Sequence, residues 1–204
     1  MERRVESGRP AEVPSDVELS ASALAGSERA FHDLVVRYER PVFSLIVRMV
    51  RDPSTAEDIA QEVFLKAFRR LDTFDSTRRF SSWLFKIAHN ATLDHLRRST
   101  LDTVPLEGGG EDEGSLSAVL ADESAESPEA GVDRYDLSRA LDRGLRALRP
   151  DYREVLLLRF RQGLAYQEIA EVTGQPLGTV KTNIHRARKE LARSLAGLGW
   201  HLTD

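Results

Sequence analysis

A stretch of the chain without a single Lys or Arg, residues 99–133, constrains the fold more than any other feature. It holds ten Asp or Glu residues, a run of three glycines at 108–110 and a segment rich in Ser, Glu and Pro at 124–129. A segment of this composition cannot bury enough apolar surface to offset the entropy lost on folding. It therefore predicts a flexible acidic linker between two domains. The predicted divisions are a disordered N-terminus, a first domain, the linker and a second domain, at residues 1–19, 20–100, 101–133 and 134–199.

The charge of the chain is segregated along its length. The formal net charge is −4, from 29 Lys and Arg against 33 Asp and Glu. Without the ten acids of the linker, 23 acids face 29 bases, which leaves a net charge of +6 on the flanking blocks. This division suggests ends that bind nucleic acid, with an acidic tether between them. A solvated linker between two unrelated helical domains explains the composition equally well.

Composition also excludes several classes of protein. The chain has no Cys, which excludes a disulfide framework, a Cys-ligated metal and a thiol nucleophile. It has no run of 18 apolar residues that could span a membrane. The first 20 residues are polar and lack the apolar core of a signal peptide. These features predict a soluble cytoplasmic protein.

Both flanking blocks show the apolar periodicity of helices. The clearest apolar stripe lies between residues 56 and 71, at spacings that define one face of a single helix. Its members are Ala56, Ile59, Ala60, Val63, Phe64, Ala67, Phe68 and Leu71. Further helices are predicted at 31–49, at 80–98 and in four segments after the linker, and no period-two strand pattern occurs. The predicted fold class is all-α, with an N-terminal helical bundle and a C-terminal helix-turn-helix domain.

The last part of the chain has the pattern of a helix-turn-helix. A short predicted helix from residue 166 ends at Gly174, since glycine readily adopts the left-handed conformation that such a turn needs. Pro176 suits the first turn of the next helix. That helix is apolar on one side and basic on the other, so it can enter the major groove of DNA. The candidate contacts to base edges and nearby phosphates are Thr179, Lys181, Thr182, His185 and Arg186, and those mainly to phosphates are Arg188, Lys189 and Arg193.

The third predicted helix, at 80–98, mixes aromatic and basic side chains. Phe80 and Trp83 stand close to Lys86, and the helix ends in Arg97 and Arg98. Rings that stack on bases, beside cations that follow phosphates, are what the binding of single-stranded nucleic acid requires. Core aromatic residues followed by an ordinary basic helix end would give the same pattern. The residues alone leave both interpretations open.

Two sets of motifs resemble a known family. Residues 52–64 (DPSTAEDIAQEVF) and 80–98 (FSSWLFKIAHNATLDHLRR) resemble the first conserved domain of bacterial RNA polymerase sigma factors, in particular the extracytoplasmic-function (ECF) subfamily. The last conserved domain of the same family is similar to residues 148–188, through the segments LRP, YREVL, GLAYQEIA, LGTVK and HRAR. The two blocks occur in the expected order and separation. The resemblance implies a sigma factor that binds core polymerase, directs it to promoters and helps to melt the minus-ten element.

The resemblance also implies partners and site residues. The clamp coiled coil of core polymerase would be held by Asp58, Gln61, Glu62, Lys66 and Arg69. The melted minus-ten element would be read by Asp75, Arg78, Arg79, Phe80, Ser81, Trp83, Lys86, Asn90, Arg97 and Arg98. The duplex minus-thirty-five element would be read by Thr179, Lys181, Thr182, His185, Arg186, Arg188 and Lys189. The family also binds the polymerase flap, and many members are inhibited by an anti-sigma factor. No catalytic residue, cofactor, metal or membrane insertion is expected.

Two other functions compete with this interpretation. A helix-turn-helix activator that does not form a holoenzyme would carry a receiver domain of alternating strands and helices, and the N-terminal block has no strand pattern. A helical metalloenzyme could use His89, Asp94 and His95. The two histidines are six residues apart and lie on poorly matched faces of a helix. The sequence contains neither a Glu-x-x-His nor a His-x-x-x-His pair, the spacings at which helical side chains bind a metal.

Overall fold

The computed structural model of the protein describes residues 13–102 and 128–200. These ranges contain eight α-helices and no strand, so the predicted all-α class is confirmed. The first four are α1 (Asp16–Leu24), α2 (Glu28–Val50), α3 (Pro53–Arg69) and α4 (Phe80–Asp102). The last four are α5 (Pro128–Ala147), α6 (Pro150–Leu156), α7 (Tyr166–Thr173) and α8 (Leu177–Gly197). None of these helices combines the length and the apolar character needed to cross a bilayer.

The predicted boundaries of the disordered N-terminus and of the linker differ from those in the structure. Residues 16–19, predicted to be disordered, belong to α1. The helix begins there because Ser15 and Glu18 form a capping box, in which each side chain accepts a hydrogen bond from the other residue's backbone N–H. Of the predicted linker at 101–133, the first two residues belong to α4 and the segment from Pro128 belongs to α5. The rest of that linker, and residues 1–12, lie outside the described ranges.

The first four helices pack around the apolar stripe of α3. Ala56, Ile59, Val63 and Ala67 are buried against α2 and α4. The sequence predicts a capping box at Ser54 and Glu57, and the structure corrects it. Asp52 caps α3 by accepting a hydrogen bond of 2.7 Å from the backbone N–H of Thr55, because Pro53 occupies the first helical position.

The last four helices form the predicted helix-turn-helix and its support. Gly174 has φ +66°, the left-handed conformation that lets the chain turn between α7 and α8. Gly144 allows α5 to approach α8, since a Cβ atom there would lie 2.7 Å from Cδ1 of Leu191. Phe160, which the sequence groups with the apolar residues of α6, is 62% exposed. It lies in a π-helical turn (Leu157–Arg161) that follows α6 and rotates this side chain away from the core.

The two groups of helices, α1–α4 and α5–α8, pack against each other. One contiguous cluster of buried apolar side chains includes members of both groups. Arg153 of α6 is 2% exposed and lies at the junction. Its guanidinium donates hydrogen bonds to the carbonyl oxygens of Leu145, Arg146 and Leu148 at the end of α5, at 2.8, 3.1 and 2.8 Å. It donates a fourth, of 3.2 Å, to the carbonyl oxygen of Arg48 in α2.

Candidate protein and nucleic-acid interfaces

The outer side of α3 carries the residues predicted to hold core polymerase. Asp58, Gln61 and Arg69 are exposed, whereas Glu62 and Lys66 are half-buried. The Lys66 ammonium lies 2.7 Å from the Glu62 carboxylate, one helical turn away. The five residues that the resemblance implies are therefore brought together on one helix face, since they lie three or four residues apart or multiples of that. This face is polar and contains both signs of charge.

Beside this face runs an apolar groove that the hydrophobic periodicity does not reveal. It lies between α2 and α3 and encloses about 610 Å³. Its apolar walls are Phe31, Val35, Phe43, Ala60, Phe64, Leu65 and Phe68. Leu65 is 58% exposed and Phe68 is 54% exposed, and the Phe68 ring meets Phe31 edge-on with 5.1 Å between centroids. An open groove with apolar walls is a candidate interaction surface.

The periodicity places Phe64 and Phe68 in the core stripe, and the structure corrects this for Phe68 alone. Phe64 is half-buried and packs against the core, whereas Phe68 is 54% exposed, and both line the groove. Leu65 lies outside the stripe, on the polar face of α3. An apolar residue at such a position was the one feature of the sequence that indicated the groove. A hydrophobic pattern shows that a residue is apolar but not whether a neighbouring helix covers it.

The second interface starts in the loop before α4. Asp75 organises this loop, since its carboxylate accepts hydrogen bonds from the backbone N–H of Thr77 at 3.0 Å and from the Thr77 hydroxyl at 2.7 Å. The hydrogen bonds from Thr77, more than the nearby charge of Arg78, hold the pKa of the Asp75 carboxyl below its usual value. Asp75 therefore shapes the turn as an anion, and the turn presents Arg78 and Arg79 to solvent.

Along α4, the predicted minus-ten residues separate into an exposed face and a buried group. Lys86, Asn90 and Arg97 are exposed and, with the half-buried Trp83, recur at helical spacing along one side of α4. Arg98, also exposed, lies beside this row. Phe80 and Ser81 are only 3% and 5% exposed. The structure therefore brings most of the predicted residues to one surface, and it places these two beneath that surface.

Phe80 supports the exposed face from below. Its ring lies 5.5 Å from Phe74 and 5.6 Å from Trp83 between centroids, and Phe74 lies 5.4 Å from Trp83. Tilted and edge-on ring pairs of this kind fix the orientation of each ring. The aromatic residues thus fit both interpretations of the sequence, a packed core and a surface that binds single-stranded nucleic acid. Phe74 and Phe80 belong to the core, while Trp83 presents an edge of a rigid aromatic cluster at the surface.

The third interface is the exposed side of α8. The apolar periodicity predicts Val180, Ile184, Ala187 and Leu191 on the inner side; the first three are buried and Leu191 is half-buried against the core, and Leu195 is buried as well. All seven residues predicted to contact the minus-thirty-five element are exposed, namely Thr179, Lys181, Thr182, His185, Arg186, Arg188 and Lys189. Within the described residues no ion pair involves any of the four Lys and Arg side chains in this set. Their cationic groups are therefore available to phosphates and base edges.

The fold and these surfaces define a class of protein: an all-helical DNA-binding protein with a helix-turn-helix and a second helical group that carries aromatic and cationic side chains. Two family models match the chain. Residues 34–101 match Sigma-70 region 2, and residues 138–191 match Sigma-70, region 4. The sigma factor SigW of Bacillus subtilis is 37% identical over 175 residues, which cover 85% of this chain and 92% of SigW. The sigma-E factor of Escherichia coli is 36% identical, over 81% of this chain and 86% of that protein.

Solved structures agree with these similarities. CnrH, solved with the cytosolic domain of CnrY, matches with a TM-score of 0.62 at 26% identity, over 89% of this chain and 97% of CnrH. RpoE of Bartonella quintana, solved with the anti-sigma factor NepR, shares the fold with a TM-score of 0.63, at 22% identity over 81% of this chain and 96% of RpoE. The chain belongs to the ECF family of RNA polymerase sigma factors. It is therefore a promoter-specific transcription initiation factor, and the helix-turn-helix activator that forms no holoenzyme is not favoured.

Proposed function

We propose that this sigma factor uses the three interfaces for three separate tasks. The α3 face and the adjoining groove bind core RNA polymerase. The loop before α4 and the exposed side of α4 capture the melted minus-ten strand, and α8 reads the duplex minus-thirty-five element. The observation that carries the proposal is the division of exposed groups among them: a mixed polar and apolar surface on α3, an aromatic and cationic one on α4, and a cationic one on α8.

Each surface suits the chemistry of its proposed partner. A groove lined by Phe and Leu can bury an apolar side chain of a protein, and the polar rim of α3 can set the orientation of that partner. Trp83 beside Lys86 and Asn90 can stack an unpaired base and hydrogen-bond to its edge, which offsets the cost of unstacking. The seven exposed residues of α8 offer the donors that recognise base edges and phosphates in the major groove.

The chain contributes binding and positioning, and the polymerase carries out the chemistry of RNA synthesis. We expect it to act in the cytoplasm, where it meets core polymerase, through the clamp coiled coil and the flap. We also expect its free pool to be limited by an anti-sigma factor. The RpoE structure, with NepR bound to a sigma factor of this fold, motivates that expectation.

Transcription in vitro tests the proposal directly. Purified chain and core polymerase are incubated with fragmented genomic DNA, and the 5′ ends of the transcripts are sequenced. Discrete 5′ ends that require the chain, preceded by two shared sequence elements, are expected. Transcripts that start at the same positions without the chain, or a chain that does not co-elute with core polymerase in gel filtration, would contradict it. The promoters found in this way supply the DNA for testing single residues of α4 and α8.

Replacing Asn90 by Ala should slow promoter melting about tenfold and leave the affinity for core polymerase unchanged. Loss of a hydrogen bond to a flipped base, or of a stacked base, costs about 1–3 kcal/mol. Asn90 is exposed on α4, so its loss should not disturb the core. Permanganate reactivity of the minus-ten strand measures melting, and competition for core polymerase measures affinity. If both quantities fall together, Asn90 does not act on the DNA strand.

Replacing Arg186 by Ala should weaken binding to the minus-thirty-five duplex by about 1–3 kcal/mol and relax specificity at one position. Arg188 provides the matched control on the same helix, since it is also exposed. The Arg188→Ala variant should weaken binding to all sequences alike and lower the salt slope by about one. We would measure the binding of holoenzyme to promoter duplexes with single-base changes at several salt concentrations. These measurements distinguish the loss of a base contact in Arg186→Ala from the loss of a phosphate contact in Arg188→Ala. An Arg186→Ala variant with wild-type affinity would remove Arg186 from the reading surface.

A further inference from the structure

The first helix, α1, precedes the residues that match Sigma-70 region 2, which begin at residue 34. It packs on α2 and also touches α4. Leu19 and Ala23 of α1 are buried, so apolar contacts hold the helix in place. Its first residue, Asp16, directs its carboxylate at two side chains of α2. None of the three proposed interfaces includes a residue of α1, although the helix is firmly attached to the elements that form two of them.

Asp16 binds two neighbouring residues of α2. One oxygen of its carboxylate lies 2.5 Å from the Arg37 guanidinium, which also donates a hydrogen bond of 2.6 Å to the carbonyl oxygen of Pro14. The other oxygen accepts a hydrogen bond from the Tyr38 hydroxyl. A hydrogen bond to a carboxylate is stronger than one between neutral groups. Burial and the Asp16 carboxylate raise the pKa of Tyr38, so the hydroxyl stays protonated and remains a donor at neutral pH.

Tyr38 connects this contact to the aromatic residues of α4. Its ring lies 5.7 Å from Phe80 and 6.4 Å from Phe85 between centroids. Phe80 in turn lies 5.6 Å from Trp83, the ring at the exposed surface. Phe80 and Phe85 are 3% and 1% exposed, and side chains in so closely packed a core cannot move independently. A displacement of the Tyr38 ring is therefore transmitted through Phe80 to Trp83.

Ser81, in the first turn of α4, lies on the other side of the Tyr38 hydroxyl. Its own hydroxyl is buried, close enough to Tyr38 to lower the pKa of that phenol but too far away to form a full hydrogen bond. A buried hydroxyl without a full partner is costly, so this position is sensitive to any movement of Tyr38. The Tyr38 oxygen thus marks the point at which α1, α2 and the start of α4 meet.

We propose that α1 takes part in promoter melting, because Asp16 holds the Tyr38 hydroxyl and Tyr38 fixes the Phe80 ring that supports Trp83. In this role Asp16 and Tyr38 are positioning residues, which act on the DNA strand only through Trp83. A ring that is already oriented captures a base more readily, since no further ordering has to be offset when the base binds. The effect on melting rests on the proposed function of Trp83, whereas the effect on the orientation of its ring does not.

Fluorine NMR tests the orientation of Trp83 without DNA or polymerase. The full chain is produced with a fluorinated tryptophan, which labels only Trp83 and Trp200, and the Trp200→Phe variant assigns the two signals. Tyr38→Phe keeps the ring and removes the hydroxyl, so it should shift or broaden the Trp83 signal. Trp200 follows α8 and provides an internal control, because its signal should not change. A Trp83 signal identical to that of the wild type would overturn the proposal.

Promoter melting measures the functional consequence. Tyr38→Phe should slow melting of the minus-ten strand about fivefold and Asp16→Ala about tenfold, both with unchanged affinity for core polymerase. Asp33→Ala, which removes an exposed carboxylate from α2, is the matched control and should melt promoters at the wild-type rate. Equal slowing in Asp33→Ala and Asp16→Ala would attribute the effect to net charge and contradict the proposal. A changed Trp83 signal with normal melting would instead refute the function proposed for Trp83 and leave the positioning in place.

The conservative variant Asp16→Asn distinguishes the contact with Tyr38 from the one with Arg37. An amide oxygen can still accept the hydrogen bond from Tyr38, while the ion pair with Arg37 is lost. That ion pair is partly exposed and contributes little, because water screens it. Asp16→Asn should therefore return the Trp83 signal to its wild-type position and the melting rate to within about twofold of the wild type. If Asp16→Asn is as defective as Asp16→Ala, the carboxylate acts through Arg37 and the assignment to Tyr38 is wrong.

Discussion

Replacing Phe68 by Glu should weaken the binding of core polymerase at least thirtyfold. Phe68 is a large exposed aromatic residue that lines the groove between α2 and α3. Aromatic residues at the centre of a protein interface often contribute 2 kcal/mol or more, and a carboxylate in their place must be desolvated without a partner. Competition with a fluorescently labelled wild-type chain for core polymerase measures the loss.

Val36 offers a matched control for this prediction. It is an exposed apolar residue of α2, at 53%, and it does not line the groove. The Val36→Glu variant should bind core polymerase as the wild type does. Both variants should keep the wild-type melting temperature to within a few degrees, since neither residue is buried. If Phe68→Glu binds normally while Glu62→Lys does not, the polar face of α3 alone holds the polymerase.

The second large effect is expected in stability. Replacing Arg153 by Ala should lower the free energy of unfolding by about 3–5 kcal/mol, because a buried guanidinium is lost and the carbonyl oxygens of Arg48, Leu145 and Leu148 lose a donor at a largely buried junction, while that of Arg146 keeps Arg51 as a donor. Burial, together with the nearby Arg51 and Arg146, lowers the pKa of the Arg153 guanidinium to about 10. The group still remains cationic at neutral pH, so the loss should be the same between about pH 6 and pH 8. Urea denaturation followed by circular dichroism measures it.

Two further variants define the cause of this loss. Arg149→Ala, four residues earlier on the chain, removes an exposed arginine that pairs with Asp151 and should cost less than about 1 kcal/mol. Arg153→Lys keeps the charge but cannot reach four acceptors from one nitrogen, so it should recover only part of the stability. If Arg153→Lys recovered the full stability, the site would require the positive charge and not the several N–H donors of the guanidinium.

Local pattern was sufficient to predict most of the helical structure. In α8 the alternation of apolar and cationic residues at 3.6 spacing divides the helix into the buried and exposed sides that the structure has. Gly174 predicts the turn before it for a similar reason, since the required backbone conformation is a property of that residue. The all-α class and the relatedness to sigma factors follow from patterns of this kind, which depend on residues close together in the chain.

Contacts between distant residues were beyond such reasoning. The apolar groove lies between α2 and α3, where Phe68 is exposed although its spacing is that of a core residue. Phe80 is predicted to face DNA, and it lies beneath the surface because Phe74 and Tyr38 cover it. The role of each residue in these cases depends on a neighbour from another helix, which periodicity does not specify.

The amino-acid order alone thus determined which segments other than α1 are helical and which side of α8 is cationic, since these depend on propensity and spacing within a few turns. Only the packed chain decided that α7 covers the start of α4, that His89 meets Glu154, and that Arg153 binds carbonyl oxygens from two helices. His89 and Glu154 are 65 positions apart in the sequence, and Arg153 and Arg48 are 105 positions apart. Their contacts form only when burial brings distant segments together, because the apolar area removed from water, and not local preference, stabilises them.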